Sequence, residues 1–109
     1  MLFKRQEALA RAKKGRAKIL ELTLLPLRGT GIHGYYQAYT FTLEVNNGSD
    51  TPYKTQSTWE VYPIGTPNAQ QNLEIDVKID ADDPNTIYPL VTGVEYSWNA
   101  VMMYGKKKS

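Results

Sequence analysis

The stretch VKIDADDPNTIYP, from Val77 to Pro89, gathers the residues best suited to chemistry. It holds Asp80, Asp82 and Asp83, with Asp76 just upstream and Pro84 and Asn85 just after. Carboxylates this close together could ligate a hard cation, act as an acid–base pair, or shape a turn. A calcium loop of EF-hand type needs acids at positions 1, 3 and 5, glycine at 6 and glutamate at 12. Counted from Asp80, Asp82 satisfies position 3, but Pro84, Asn85 and Val91 fall at positions 5, 6 and 12. Strand parity then separates the remaining acids: Asp76 and Asp80 share an outward face with Lys78 between them, which is the pattern of a solvated strand face. An acid–base pair needs a cleft and one raised pKa, and spacing alone selects no such pair here. DDPN fits a type I turn instead, with Asp83 accepting backbone N–H bonds, Pro84 presetting φ and Asn85 tolerating the third position.

Other reactive groups are scarce. The 109 residues contain no cysteine, which excludes disulfides, thiolate metal sites and a cysteine nucleophile. The single histidine, His33, removes paired-histidine metal sites and sits in GTGIHG, a glycine-rich loop that makes a poor platform for a catalytic base. GTGIHG is no phosphate loop either, because the GK[ST] ending is missing. Neither H-E-x-x-H nor G-x-S-x-G is present. The expectation is a non-enzymatic protein without metal or cofactor.

The elements that would hold these residues follow from periodicity. Leu2, Phe3, Leu9 and Ala10 form one apolar stripe among Lys and Arg, predicting a basic amphipathic helix over residues 1–16 with Gly15 as terminator. AKILELTLLPL then shifts to period two, with Leu20, Leu22 and Leu24 inward and Pro26 ending the ladder or lying at an edge. RGTGIHG reads as a loop. YYQAYTFTLEV alternates Tyr39, Phe41, Leu43 and Val45 against Ala38, Thr40, Thr42 and Glu44, and NNGSDTP supplies a hairpin turn. YKTQSTWEVY is its partner strand, with Trp59 and Val61 on one face. NLEIDVKID puts Leu73, Ile75, Val77 and Ile79 inside, and TIYPLVTGVEYSW predicts two short strands broken at Thr92–Gly93. The apolar AVMMYG segment and a basic tail over 106–109 close the chain.

Five or six strands joined by short loops predict a mainly β domain over residues 1–105, with the β part at 17–105. The fold expected is a small antiparallel barrel or barrel-like sandwich of OB- or SH3-like size. No apolar run reaches the roughly 18 residues of a membrane-spanning helix, so the expected localisation is cytoplasmic, with the inner face of the membrane as alternative. Residues 1–18 carry seven cations against Glu7, a net of +6. The body from Ile19 to Gly105 carries three cations against ten carboxylates, a net of −7. An acidic body with basic ends is the reverse of a domain whose folded surface grips nucleic acid.

The same residues carry a resemblance. GRAKILEL, a glycine loop, YTFTLEV, PYKTQSTWEVYP and LEIDVKIDADDPNTIYP, together most of residues 15–90, resemble a group of short bacterial domains of unknown function. Those domains end on a strand of the form V-x-V-x-x-D-P-x-D-P, matched here by Ile75 to Tyr88. Ala81 stands where the first proline is usual, and YSWNAVMMYG lies outside the pattern. The resemblance implies a small non-catalytic β-barrel from a prokaryote or phage, in a group often tethered at the inner membrane face.

Two sets of binding residues follow. The basic helix offers Arg11, Lys13, Lys14 and Arg16 to a protein partner or an anionic membrane surface. Tyr35, Tyr36 and Tyr62 lie near loops and, with the basic ends, would serve a single-stranded nucleic acid as the alternative ligand. Their neutral or acidic neighbours weigh against that alternative. Self-association through AVMMYG, as in a structural subunit of a phage or envelope, is the third reading.

Overall fold

The computed structural model describes residues 2–31, 34–48 and 51–98, with side chains from residue 7 onward. Its elements are α1 (Leu2–Arg11), β1 (Lys13–Gly31), β2 (Gly34–Asn46), β3 (Tyr53–Val61), a 3₁₀ helix (Pro63–Asn68), β4 (Glu74–Ile79), β5 (Ile87–Pro89) and β6 (Val94–Tyr96). The strands form one antiparallel sheet in the order β5-β4-β1-β2-β3-β6. The mainly β, six-stranded reading therefore holds, but the sheet does not close into a barrel.

It curls instead, so that its two edge strands meet through side chains. The Tyr88 and Tyr96 rings pack edge to face at 5.0 Å. Trp59 Nε1 and Ser57 Oγ both donate to the Ile87 carbonyl, at 2.9 and 3.0 Å. β5 and β6 are three residues each, and Pro89 has no N–H to give, so side chains bridge a seam that a ladder cannot. The core lies inside the curl, built on Ala17, Ile19, Phe41, Leu43, Val45, Trp59, Ile75, Val77, Ile79 and Ile87.

Alternation is faithful in β4, where Ile75, Val77 and Ile79 are buried and Glu74 and Asp76 exposed. β1 departs from expectation. Ala17 and Ile19 are inward, a bulge at Leu20 shifts the phase, Leu22 is half-buried and Leu24 is 63% exposed. The bulge is held from the far side, where Asn72 N donates to Ile19 O at 2.6 Å and Gln71 Nε2 to Leu20 O at 3.1 Å.

The helix is also shorter than the expected residues 1–16. It ends at Arg11, and Lys13, Lys14 and Arg16 belong to β1, opposite Ile79, Lys78 and Asp76 of β4. Gly15 is not a helix terminator but a close approach: a Cβ there would meet Ile79 Cδ1 at 2.8 Å and Asn46 O at 3.0 Å. Pairing with β4 outweighs the few tenths of a kcal/mol per residue of local helix propensity.

RGTGIHG differs as well. Arg28–Gly31 continue β1 and Gly34 opens β2, with Gly31 opposite Gly34 in the ladder. His33 lies outside the described residues, as do AVMMYG and the 106–109 tail. The DDPN turn forms as expected. Thr86 N donates to Asp83 O, Asn85 N to Asp83 Oδ1 at 3.0 Å, and Thr86 Oγ1 to Asp83 Oδ2 at 2.8 Å. The break at Thr92–Gly93 is also present, with Gly93 at φ +79°.

Candidate functional site

β1 outruns its neighbours. Beyond Leu20 it pairs only with β2 among the described residues, and β2 in turn loses β3 above the Gln37–Val61 pair. The result is a hairpin arm, residues 24–31 and 34–39, whose tip beyond Gln37 consists of β1 and β2 alone among the described residues. Pro26 interrupts its ladder, with three β1 residues between Leu24 and Arg28 facing a single β2 residue. Gln37 repairs the gap: its Nε2 donates to Leu25 O at 2.6 Å and to Leu27 O at 3.2 Å.

A cleft of about 260 Å³ opens at the base of this arm, walled by Tyr35, Tyr36, Tyr39, Tyr62, Pro63 and Thr66. Each wall has a local cause. β3 stops where Pro63, without an N–H, starts the 3₁₀ helix. That helix is pinned to the turn before β6. Tyr62 N donates to Gly93 O at 2.9 Å and Asn68 Nδ2 to Thr92 O at 2.9 Å. Gly65 lies so close to the Gly93 backbone that a Cβ on either would collide with it.

The two glycines of the arm belong to the same construction. The Tyr36 ring lies over Gly29, where a Cβ would sit 2.7 Å from its hydroxyl, and Tyr62 lies over Gly31 in the same way. Tyr36 and Tyr62 meet edge to face at 5.6 Å and 62°. GTG is thus required by two aromatic rings rather than by a loop.

This corrects the reading of the three tyrosines as exposed stacking platforms. Tyr36 and Tyr62 are 6% and 2% exposed and make the floor of the cleft. Only Tyr35, at 59%, stands out as a free rim. Tyr88 is buried as well and donates to Asp80 Oδ1 at 2.6 Å.

The basic residues sit at the opposite end of β1 and are not brought to the tyrosines. Arg11 makes a two-pronged pair with Asp82, at 2.9 and 3.1 Å. Arg16 reaches Asp76 at 2.7 Å and Glu74 at 3.2 Å. These bonds raise both guanidinium pKa values, through Asp82 for Arg11, and through Asp76 and then Glu74 for Arg16. Lys78 Nζ donates to Leu9 O at 3.1 Å, placing a cation at the C-terminal end of α1. Lys13 and Lys14 are exposed on β1.

No protein family, curated protein or solved structure matches this chain. The site therefore rests on its own geometry. The carboxylates of the opening stretch do not converge: Asp76 and Asp82 hold arginines, Asp83 holds its turn, and Asp80 accepts from Tyr88 and from Asp82 N. Among the described residues no group of three His, Cys, Asp or Glu side chains could hold a metal ion. No helix among them is long and apolar enough to cross a membrane.

Sequence reasoning missed Tyr39, Gln37, Pro63 and Thr66 as site residues. Tyr39, on the same strand face as Phe41 by parity, is half-buried, packs on the Phe41 ring at 6.3 Å and also lines the cleft. The available signal was the Tyr62–Pro63 step, where an aromatic directly precedes a residue that must end a strand.

Proposed function

We propose that this protein is a non-enzymatic interaction module that binds a protein partner through the tyrosine cleft and the adjoining arm. The observation carrying this reading is the arm itself. It extends the inner face of the sheet beyond the covered core, leaving Leu24 and Tyr35 more than half exposed beside a cleft with four tyrosines. Aromatic residues around a buried floor are the anchor type that dominates protein interfaces. The charged side chains support the non-catalytic part, because the best-placed ones are committed to ion pairs and turns.

A membrane surface is the weaker partner. Arg11 and Arg16 already have carboxylate partners, which an anionic lipid would have to displace. A nucleic-acid track is disfavoured because Arg11, Lys13, Lys14 and Arg16 lie at the other end of β1 from the tyrosines, which have Arg28 alone as a neighbouring cation among the described residues.

The absence of cysteine makes a direct test available. A photo-crosslinker on Thr66→Cys, at the cleft rim, is expected to give a discrete protein adduct in extracts of the source cell. The same label on Gln56→Cys, exposed on β3, is expected to give none. Equal labelling from both positions, or binding to anionic vesicles that needs residues 1–12, would overturn the reading.

A further inference from the structure

The chemistry of the cleft narrows the class of partner, on the footing that the partner is a protein. We propose that the cleft receives a proline-rich segment in the polyproline II conformation. Its lining carries no charge among the described residues, since Gln37, Val61 and Thr66 complete the tyrosines and Pro63. Arg28, opposite Gln37 in the β1–β2 ladder, is the one cation of the arm among the described residues, and it is not part of the lining. Proline rings are neutral and apolar, and they dock on aromatic-lined grooves.

The backbone around the cleft favours the same ligand. Above Gln37–Val61, β2 has lost its β3 partner, and the chain turns away at Tyr62–Pro63. The bare edge at Tyr35–Tyr36 is too short for a peptide to add as a strand, because strand addition draws its affinity from a run of main-chain bonds. A polyproline II segment needs no ladder, and its ordering cost is small because it is extended before it binds. Its free carbonyls require donors. Tyr35 and Tyr39 line the cleft, and their hydroxyls have no hydrogen-bond partner among the described residues.

Size agrees. At about 260 Å³ the cleft is below the range of pockets that enclose a drug-sized molecule, roughly 300–1,000 Å³. An open groove of that size suits a few residues lying across it.

The test selects peptides from a fully randomised display pool with the full-length chain, in parallel with a Tyr35→Ala variant. Tyr35 is mostly exposed, so the variant is expected to keep its fold, checked by its thermal midpoint and amide spectrum. The expected result is enrichment of proline-containing sequences by the native chain, reduced about tenfold or more by Tyr35→Ala. A synthetic polyproline peptide should shift amide signals at residues 35–39 and 61–66. Enrichment of sequences without proline, or none, would overturn the proposal. So would shifts elsewhere, or cleft shifts with an oligothymidine strand or an oligosaccharide in place of the peptide. Rim crosslinking from Thr66→Cys without proline enrichment removes only the ligand class. Loss of both removes the protein-partner reading as well.

Discussion

At Ala17 and Ile19, β1 lies between β2 and β4 and its inward side chains are fully buried. Further along the same strand, at Leu24 to Gly31, β4 is gone, the ladder is broken at Pro26, and the inward-parity Leu24 is mostly exposed. Both halves belong to the antiparallel β1–β2 hairpin. What separates them is the cover that other strands provide and the Pro26 gap in the arm's ladder. The core half derives its stability from apolar burial, at roughly 25 cal/mol per Å². The arm half relies on specific devices: the Gln37 amide across the proline gap, and tyrosine rings laid over Gly29 and Gly31.

The strongest way to break that contrast is to strike the core half. Trp59→Ala removes a fully buried ring next to Phe41 and the donor to Ile87 O. A loss of about 3–5 kcal/mol in urea unfolding is expected, enough to unfold much of the population. A loss under about 1 kcal/mol would show that Trp59 is not central to the core.

In the arm, Gly31→Val drives a side chain into the Tyr62 ring. The expected cost is about 1–3 kcal/mol. It should be accompanied by a displaced Tyr62 ring signal and a core that still melts cooperatively. Gln37→Ala is milder. Two carbonyls beside Pro26 lose their donor, for about 1 kcal/mol at this partly solvated position. Faster amide exchange confined to residues 24–39 would sharpen the contrast; faster exchange throughout the sheet would refute it.

Alkaline pH probes the seam that closes the core half. Burial, then the bond to Asp80, raises the Tyr88 phenol well above its ordinary value. Burial raises Tyr96 in the same way. The folded state thus holds these protons more tightly than the unfolded chain. Their contribution is complete below the unfolded pKa of about 10 and is lost as pH rises above it. A Tyr88→Phe variant should show a flatter decline in thermal midpoint above about pH 10 than the native chain. An identical decline in both would remove Tyr88 from the account.

The smallest effect belongs to Arg16→Ala. Its two carboxylate partners are exposed, so the difference from the native chain should be slight at low salt and vanish near 1 M salt. A salt-independent loss would mean that the guanidinium packs rather than pairs.

Several features were legible in the amino-acid order because they depend on neighbours only a few residues apart. The DDPN turn needs Asp83, Pro84 and Asn85 in succession and nothing from elsewhere. The alternation of Ile75, Val77 and Ile79 states which face of β4 is apolar, whatever covers it. The spread of carboxylates over one solvated strand face and a turn likewise argues against a convergent acidic site. Tertiary structure decided where local preference was weak or where partners came from far along the chain. Lys13 to Arg16 became strand because β4, some sixty residues away, pairs with them. Gly29 and Gly31 could not be told from loop glycines until Tyr36 and Tyr62 lay over them. The cleft exists only because β3 stops short of β2 before Pro63, so that the β2 tyrosines meet Tyr62 where the ladder ends.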